Sequence, residues 1–498
     1  MFIHTPFKDI PPAPVTMNIQ VHRAFRYESL VGCPFSAVPE YPPMNLTLQH
    51  QQDMKITVST MDSTYLVEIR LSRTKWRIKK ITNEIAHNFG IGDFLELHPH
   101  VTLFGPLTIR ERVSSRQMLE AIGNVAARYD PLPFLIDGWE KRDGMHGSVI
   151  AFPVRASEHL RQITREIAQV LTPLTTSQNV WDGEPDQKWF HVTIANRLGS
   201  DQASAIFSRL TGQDQKPMAK GEVPERKPGL LQRFLPAHVR EKPVSAILPV
   251  LLDETGIRIT VMRDMAILAE YDLIEKRWIY GDHRHSAPRW QKTLVQYRHH
   301  AGLEHRDPEP SLPDDVFLIA DLHLGHANII RYCSRPFFFS DSREMDHVLI
   351  KNWNYTISPK TRIYCLGDLR YGPEAEPATQ YRKRLRGDIV LIRGNHDDRD
   401  TGTIASAETA YEDLKFFLVH DPADAPQSYD GWVIHGHHHN NDLRHYPYMN
   451  FIDRRVNVSA EVIGYKPVSL HEIVQRIRER GASGDTSPIL FRYAGEQV

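Results

Sequence analysis

In the C-terminal half of this 498-residue chain, polar residues follow short apolar runs, and this pattern occurs five times. Asp321-Leu322-His323 follows Val316-Phe317-Leu318-Ile319, a run short enough to be a buried strand. The other four blocks are Gly367-Asp368, Gly394-Asn395-His396-Asp397, His420, and His435-Gly436-His437-His438-His439. Side chains that stand where strands open into loops can turn toward one point. The sequence therefore predicts a site assembled from consecutive strand ends.

The donor atoms in these blocks are carboxylate oxygens, an amide oxygen and imidazole nitrogens, with no thiolate. That set suits borderline divalent cations such as manganese, iron, nickel or zinc. Seven candidate ligands are too many for one ion, and a carboxylate such as Asp368 can bridge two ions about 3.5–4 Å apart, as in two-metal phosphoester hydrolysis. We therefore expect two divalent metal ions in the C-terminal part.

The ordered blocks DxH, GD, GNHD, H and GHxH resemble the calcineurin-like metallophosphoesterase family over about residues 313–481. By that resemblance Asp321, His323 and His439 would hold the first ion and Asp368 would bridge. Asn395, His420 and His437 would hold the second ion. His396, supported by Asp397, would approach the leaving oxygen as an acid or contact a phosphoryl oxygen. Position x of GHxH is itself His438, with His435 just upstream, so the choice among four imidazoles comes from the resemblance.

A duplicated pattern lies upstream, in which a β-α-β-α unit occurs twice. The first copy has a predicted strand at 65–71, a helix at 76–89, a strand that begins at His100 and a helix from Ser115. The second copy has a strand at 148–154, a helix at 158–171, a strand that begins at His191 and a helix capped by Ser200. Residues i and i+2 of a strand share a face, so each His points with the Thr two residues later into the cleft between two lobes. Two facing imidazoles supply one general base and one general acid, and two hydroxyls can hold phosphate oxygens without a metal.

Two His-x-Thr motifs in matching positions resemble the 2H phosphoesterase superfamily, which contains 2′-5′ RNA ligases and cyclic phosphodiesterases, over about residues 62–278. The resemblance implies that His100, Thr102, His191 and Thr193 form a catalytic site with no cofactor, and which histidine is the base stays open. The predicted fold class is α+β in two domains. A bilobal duplicated 2H fold would be followed by a calcineurin-like αββα sandwich.

The predicted boundaries follow from proline content and loss of periodicity. They are a Pro-rich N-terminal extension (1–55), the 2H-like domain (56–302, with a basic insertion at about 211–243), a linker (303–314), the metallophosphoesterase-like domain (315–482) and a C-terminal tail (483–498). The basic insertion has two open interpretations, a loop over an RNA end or a solvated loop.

Composition narrows the class of protein. Hydrophobic content of 41% and charged content of 24% are those of a soluble globular chain. A formal net charge of −1 gives no global electrostatic case for nucleic acid, so any such contact is local. Three widely spaced cysteines predict neither a disulfide framework nor a zinc ribbon, and the absence of a secretory pattern and of an 18-residue apolar run predicts a cytoplasmic protein without membrane insertion.

Two hydrolytic centres on one chain predict consecutive steps on one substrate. The His/His site would open a 2′,3′-cyclic phosphate on an RNA 3′ end or nucleotide, and the dinuclear site would remove the resulting monoester. One alternative is that both centres act on unlinked phosphodiesters such as 2′-5′ oligonucleotides or cyclic nucleotides. The other is a non-catalytic RNA-binding module, which the presence of His396 and Asp397 argues against. No membrane contact is expected, and the sequence does not identify a protein partner.

Overall fold

The computed structural model describes eight stretches of the chain. They are residues 63–90, 98–144, 147–211, 251–281, 286–304, 315–339, 341–397 and 403–493. All of them lie in one compact unit, Met61–Val498. The unit has a mixed α/β structure with two large hydrophobic cores, one built mainly from the first half of the unit and one mainly from the second.

The first half contains eleven strands and five helices among the described residues. They are β1 (Tyr65–Arg70), α1 (Lys75–Phe89), β2 (His100–Ile109), α2 (Ser115–Ala126), β3 (Leu132–Asp137), β4 (Glu140–Gly144), β5 (Gly147–Ala156), α3 (Glu158–Leu171), β6 (Thr175–Ser177), β7 (His191–Leu198), α4 (Ser200–Leu210), β8 (Leu251–Gly256), β9 (Arg258–Arg263), β10 (Ala266–Asp272), β11 (Arg277–Ile279) and α5 (Ala287–His300). One sheet has the order β11-β10-β9-β1-β2-β6, and the other has the order β4-β5-β3-β8 with β7 also paired to β5.

The predicted duplication appears as β1-α1-β2-α2 and β5-α3-β7-α4, one copy for each sheet. Each copy forms because its helix carries an apolar stripe at helical spacing, as in α3, where Leu160, Ile163 and Ile167 are fully buried. Ser157 caps α3 by accepting a hydrogen bond from the backbone N–H of Leu160 at 3.3 Å. The copies also exchange strands, since β6 pairs with β2 and β3 pairs with β5. This exchange ties the two lobes together.

The second half contains nine strands and four helices among the described residues. They are β12 (Val316–Ile319), α6 (Ala327–Tyr332), α7 (Ser342–Thr356), β13 (Arg362–Leu366), α8 (Ala378–Arg384), β14 (Asp388–Ile392), β15 (Ser406–Tyr411), β16 (Leu414–Val419), β17 (Trp432–His435), β18 (Met449–Asn450), β19 (Arg455–Asn457), β20 (Val468–Ser469) and α9 (Leu470–Ser483). One sheet has the order β14-β13-β12-β20 and the other β15-β16-β17-β19-β18. The strands that precede the five polar blocks are parallel within each sheet, so their carboxyl ends share one edge of that sheet.

Two predicted helix ends were wrong. Ser200 was expected to cap α4, but the cap is Gly199, and Ser200 is the first helical residue. The capping box at Ser469 and the apolar stripe after it predict a last helix that Gly481 ends, but α9 continues to Ser483 and is capped by Gly484, whose φ of 68° gives the left-handed cap that glycine adopts without a steric penalty.

The predicted C-terminal tail differs from the structure up to residue 493. Phe491 is buried, and the backbones of Ile489 and Met449 exchange two hydrogen bonds of 3.0 Å. Arg492 donates to the Glu472 carboxylate on α9 at 2.7 Å. This segment therefore belongs to the second core, because its apolar side chains find partners that local sequence does not reveal.

Several predictions fall outside the described residues. These are the Pro-rich extension, the insertion beyond residue 211 and the linker from 305 to 314. No helix among the residues that the structure describes is both long and apolar enough to cross a lipid bilayer.

We expect Ile163→Ala to lower the free energy of unfolding by about 2–5 kcal/mol, because it leaves a cavity beneath α3 where the side chain is fully buried. Chemical denaturation followed by circular dichroism measures this change. The control is Gln169→Ala on the exposed side of α3, for which a change of about 0.5 kcal/mol or less is expected. Equal effects of the two substitutions would contradict the assigned burial.

Candidate functional site

The two His-x-Thr motifs lie on two strands that contact each other. His100 and Thr102 lie on β2, His191 and Thr193 lie on β7, and these two strands contact each other. All four side chains are half-buried, whereas the valine between each pair is fully buried in the core. The period of two along a strand therefore places the four polar groups together, as the sequence predicted.

Each of the two imidazoles is oriented by a hydrogen bond to the backbone carbonyl two residues before it. The Nδ1 of His100 donates to the carbonyl oxygen of His98 at 2.9 Å, and the Nδ1 of His191 donates to the carbonyl oxygen of Trp189 at 2.9 Å. A carbonyl oxygen only accepts, so each Nδ1 carries a proton. In each ring Nε2 is then the nitrogen that can accept or donate the transferred proton.

A buried carboxylate stands beside His100. Glu68 on β1 is 0% exposed, and its Oε2 lies 3.7 Å from Nε2 of His100. Its Oε1 accepts from Nε2 of His98 at 2.5 Å. Neither residue was among the site residues predicted from the sequence. The signal was present, because Glu68 alternates with the buried Val67 and Ile69 on β1 and so faces the cleft side of the sheet.

His191 lies in a different environment. Its ring stacks on Trp189, with centroids 3.8 Å apart and planes 16° from parallel, and the Arg142 guanidinium covers the Trp189 ring at 4.1 Å. Burial is the largest cause that lowers the pKa of His191 to about 4, and the nearby charges of His100, Arg142 and Lys188 contribute to the same shift. His191 is therefore neutral near pH 7.

The five polar blocks of the second half converge at the carboxyl ends of β12, β13, β14, β16 and β17. One oxygen of Asp368 has three imidazole nitrogens within 4.0 Å: Nε2 of His323 at 3.5 Å, Nε2 of His420 at 3.6 Å and Nε2 of His396 at 4.0 Å. Asp321 Oδ1 lies 4.0 Å from Nε2 of His439. Asp321, His323 and His439 form one group with metal-ligand spacing, and Asp321, Asp368 and His420 form another.

Asn395 and His437 complete this cluster. The Oδ1 of Asn395 lies 2.8 Å from Nε2 of His420 and 3.1 Å from Nδ1 of His437. The Nδ1 of His420 donates to the Leu366 carbonyl at 2.9 Å, which directs Nε2 into the cluster. The structure thus brings together all seven residues that the sequence analysis named as candidate metal ligands.

Glycines in the blocks leave the space that the carboxylates occupy. A Cβ on Gly394 would lie 2.1 Å from Asp368 Oδ1, and a Cβ on Gly436 would lie 2.5 Å from Asp321 Oδ2. A Cβ on Gly367 would lie 2.4 Å from Nδ1 of His420. Real side chains do not tolerate such distances, so the glycine in GD, GN and GH is required by the close approach of its neighbours.

Backbone strain is concentrated in the same cluster. Left-handed φ values occur at five of the seven candidate ligands: Asp321 (58°), His323 (49°), Asp368 (55°), His437 (70°) and His439 (50°). This region is uncommon for residues with a Cβ and costs about 1–3 kcal/mol at each position. The surrounding fold therefore stabilises these conformations against their local cost.

Buried polar atoms in the cluster lack partners among the described residues. The atoms without a hydrogen bond are Oδ1 of Asp321 and both ring nitrogens of His323, although His323 Nε2 lies 3.5 Å from Asp368, and these two side chains are 0% and 2% exposed. Burial and the charge of Asp321 raise the pKa of Asp368. Unpaired buried atoms and two mutually repelling carboxylates are destabilising by themselves. The donor set therefore fits divalent cations, which would satisfy the orphaned atoms and offset both negative charges.

Residues behind the candidate ligands form a second layer of contacts that was not predicted from the sequence. Nδ1 of His439 faces the buried carboxylate of Glu461 at 3.2 Å, and Glu461 is in turn paired with Arg335 at 2.6 Å. Arg335 also donates to the backbone carbonyl of Asp321 at 2.7 Å. A carboxylate behind a metal-binding imidazole orients the ring, so Glu461 fixes the side of His439 that faces Asp321. Residues 335 and 461 are far apart in sequence, and no motif links them.

His396 lies at the solvent edge of the cluster, with its side chain 34% exposed and its ring 4.2 Å from that of Tyr371. The expectation that Asp397 supports the His396 side chain was wrong. Asp397 Oδ2 instead accepts from the backbone N–H groups of Asp368 and Gly394, each at 2.9 Å. Asp397 therefore orders the loop backbone, because its short side chain reaches these amides first.

The other two imidazoles of the histidine run turn away from the cluster. His438 stacks on Tyr446 at 3.5 Å, with planes 7° from parallel. His435 is fully buried, and burial lowers its pKa to about 3. The left-handed conformation at positions 437 and 439 directs those two side chains to one side of the loop, which the sequence pattern did not resolve.

We expect the imidazole of His191 to titrate near pH 4, because burial lowers its pKa from 6.5. Histidine C2 hydrogen–deuterium exchange, resolved by mass spectrometry across a pH series, measures this midpoint. Because the pKa in the folded state is below the unfolded value, the unfolded chain binds the proton first, and His191 contributes a loss of stability as pH falls from about 6.5 to about 4.

Trp189→Leu removes the stacked ring, and the His191 midpoint should move upward toward 6.5. The control is Val180→Ala, at a side chain that is 80% exposed, which should leave the midpoint in place. An unchanged midpoint in Trp189→Leu would contradict the role given to the stacked ring.

Comparison with known proteins gives one family match and one relative of high sequence identity. Residues 71–225 match the family model described as the 2′-5′ RNA ligase superfamily, and this match supports phosphoesterase activity. An uncharacterised protein from Methanocaldococcus jannaschii is 46% identical over 166 residues, which cover 33% of this chain and 92% of that protein.

Three solved structures show weaker likeness. A protein of unknown function from Aquifex aeolicus is 20% identical with a TM-score of 0.26, covering 33% of this chain and 100% of its own. The phosphoesterase YfcE from E. coli is 18% identical with a TM-score of 0.18, covering 29% of this chain and 78% of its own. Vps29 from Chaetomium thermophilum is 14% identical with a TM-score of 0.16, covering 24% and 60%. At these scores the likenesses carry no argument about function.

The family match over residues 71–225 and the sequence identity to the Methanocaldococcus jannaschii protein together show the family. The chain contains a domain of the 2′-5′ RNA ligase superfamily and belongs to the same protein family as that relative.

Proposed function

We propose that this chain is a bifunctional phosphoesterase that opens a 2′,3′-cyclic phosphate and then removes the resulting phosphomonoester. The observation that carries the proposal is the presence of two chemically different clusters of polar side chains in one compact unit. One is a pair of imidazoles flanked by hydroxyls, and the other is a cluster of carboxylates, an amide and imidazoles.

The cleft between the lobes suits ring opening. Water adds to phosphorus while the bond from phosphorus to the 2′- or 3′-oxygen breaks. One imidazole takes a proton from the water and the other gives a proton to the departing ribose oxygen. Thr102 and Thr193 share the faces of His100 and His191, where their hydroxyls can hold the nonbridging oxygens. No charged cofactor is required for this exchange of protons.

The second cluster suits monoester hydrolysis. In this proposal it is a calcineurin-like centre, in which Asp321, His323 and His439 would hold one divalent ion, Asn395, His420 and His437 would hold another, and Asp368 would serve both. Bound ions of this kind offset charge on phosphoryl oxygens and activate the attacking nucleophile. His396 is the exposed imidazole at the edge of the cluster, so it is the group that can meet the leaving oxygen.

The proposed substrate is an RNA 3′ end or a nucleotide carrying the cyclic phosphate. The description of the matched family refers to RNA, which supports this substrate class over other phosphoesters. The chain as a whole has a net charge of −1, so recognition would depend on local contacts around the two sites.

An oligonucleotide ending in a 2′,3′-cyclic phosphate tests the order of the two steps. We expect a chelator to stop release of inorganic phosphate while ring opening continues, because only the second site uses metal ions. We expect His191→Ala to stop ring opening while hydrolysis of a linear 3′-monophosphate continues. Chromatography of the oligonucleotide and a phosphate assay separate the two products. Loss of both steps on chelation would contradict a metal-free first site.

Metal binding can be tested without turnover. We expect addition of Mn²⁺ to the chelator-treated full chain to raise the melting temperature, since a ligand at 100 times its Kd stabilises by about 2.7 kcal/mol. Asp321→Asn should abolish most of this rise, because Asp321 belongs to both groups of candidate ligands. Asp430→Asn, at a side chain that is 95% exposed, is the matched control. Equal thermal shifts in the two variants would count against the metal site.

A further inference from the structure

Five aromatic side chains form a continuous series from helix α1 to the candidate metal cluster. The ring of Trp76 on α1 lies 5.2 Å from that of Tyr332 on α6, and the Tyr332 ring lies 6.2 Å from that of His326. The series continues from His326 to Tyr371 at 4.8 Å and from Tyr371 to His396 at 4.2 Å. We call these five residues the aromatic track. It connects the two halves of the unit, because α1 and α6 are in contact.

The aromatic track is open to solvent. Tyr332 is 44% exposed and Tyr371 is 40% exposed, whereas Trp76 is half-buried. Phe339 is also exposed and lines a surface cavity of about 300 Å³ together with Trp76. Isolated exposed rings are common on protein surfaces, but a series of rings offers several neighbouring flat faces. Single-stranded nucleic acids bind to such faces, because every unpaired base can stack on them.

The first turn of α1 brings positive charge to one end of the aromatic track. Lys75 and Arg77 lie in this turn, which contains no acidic residue. The helix dipole is positive at the same end, so these two cations are unfavourable there unless an anion binds. Lys80, further along α1, has its Nζ 5.8 Å from the centre of the Trp76 ring. Proteins that bind a single strand combine cations for its backbone with aromatic rings for its bases.

The charge of Arg77 is not neutralised within the described part of the chain. Its side chain lines a cavity of about 290 Å³ together with Trp76. The carboxylates of Asp253 and Glu461 act on Arg77, but each is already paired with another arginine, at 2.9 Å and 2.6 Å. Glu84 lines the same cavity but forms no ion pair with Arg77. Burial lowers the pKa of Arg77, because its charge is poorly solvated there. A backbone phosphate would supply the missing negative charge.

The aromatic track begins near the first His-x-Thr strand. Arg70 on β1 is paired with His100 across the sheet, and α1 begins five residues later at Lys75. Five residues span at most about 18 Å even when the chain is fully extended. The other end of the track is His396, the imidazole that the proposed function places at the leaving oxygen. A strand bound along the track would therefore lie close to both proposed sites.

We propose that the aromatic track, together with Lys75, Arg77 and Lys80, binds the single-stranded segment that precedes the 3′ end of an RNA. This inference deepens the proposed function and rests on it for the identity of the bound end. Bases stack on the rings of the track, and Arg77 binds a backbone phosphate. An oligonucleotide should therefore bind more tightly than a mononucleotide with the same terminal group.

Fluorescence anisotropy of a labelled oligoadenylate of about eight nucleotides, with a 3′-hydroxyl and in the presence of chelator, measures binding by the full chain without turnover. We expect Tyr332→Ala to weaken binding by about tenfold or more, because loss of one stacking ring has an effect of that size, and Tyr332→Phe to retain it. The control is Tyr280→Ala, at a tyrosine outside the track that is 51% exposed. Absence of binding by the unaltered chain, an equal loss in Tyr280→Ala, or tighter binding of a duplex of the same length would overturn the proposal.

The salt dependence of the same binding tests the phosphate contact. Arg77→Gln should reduce the slope of log K against log salt concentration by about 0.7, the value for one phosphate contact on a single strand. Lys80→Gln, at an exposed side chain on the same helix, should reduce the slope in the same direction. The control is Arg116→Gln on α2, where the arginine is exposed and already paired with Glu120. Unchanged slopes in both Arg77→Gln and Lys80→Gln would overturn the phosphate contact.

Release of inorganic phosphate in the presence of Mn²⁺ connects the aromatic track to the second site. We expect Tyr332→Ala to raise the ratio of KM for a 3′-phosphorylated oligonucleotide to KM for a 3′-mononucleotide by about tenfold, because only the longer substrate reaches the track. An unchanged ratio would contradict the placement of the RNA along the track. If the unaltered chain releases phosphate from neither substrate, the proposed function fails, and the anisotropy measurement still decides whether the track binds a single strand.

Discussion

Burial of negative charge beside imidazoles is the constraint on which both clusters depend. Glu68, Asp321 and Asp368 are each at most 2% exposed. An uncompensated carboxylate in such a position costs several kcal/mol, so each must face a positive or hydrogen-bonding group. Histidines are those groups in every case: His98 and His100 beside Glu68, and His323, His420 and His439 around the two aspartates. The two clusters differ in how much negative charge they collect. Glu68 is a single carboxylate, whereas Asp321 and Asp368 are a pair, and the divalent ions of the proposed function would offset their combined charge.

The two clusters are assembled differently, one on the faces of strands and the other at the ends of strands. The first half uses faces, because successive side chains of β2 and β7 alternate and so present His and Thr together in the cleft. The second half uses ends, because parallel strands deliver their following residues to a common edge. Helix α5 links the halves: Arg298 is 2% exposed and pairs with Glu304 at 2.7 Å and with Glu344 on α7 at 2.6 Å. Both clusters are therefore held in one compact unit, which is consistent with consecutive action on one substrate.

Much of the fold was predictable, since local periodicity and local motifs carry it. The strands that end at residues 319 and 366 and helix α3 have the predicted ends, because apolar runs and helical stripes mark them directly. All four 2H residues and all seven candidate ligands lie where the motifs placed them. The errors at Ser200 and Gly481 came from capping choices that depend on the incoming chain, and the packed segment around Phe491 depends on contacts with residues forty positions away, such as Met449. Asp397 was misassigned because a hydrogen bond to nearby backbone competes with one to a side chain.

The sequence by itself determined which atoms are present for chemistry: two matching His-x-Thr motifs, and carboxylates, an amide and imidazoles after consecutive apolar runs. These are local patterns, so they survive without knowledge of the fold. Only the tertiary structure decided which imidazoles face the acidic cluster, because left-handed backbone at His437 and His439 turns those rings one way while His438 packs on Tyr446. It also decided that the two lobes differ around their histidines. Strand pairing brings Glu68 beside His100, although the two residues are more than thirty positions apart in the chain. Charge interactions act through space, and sequence distance does not report them.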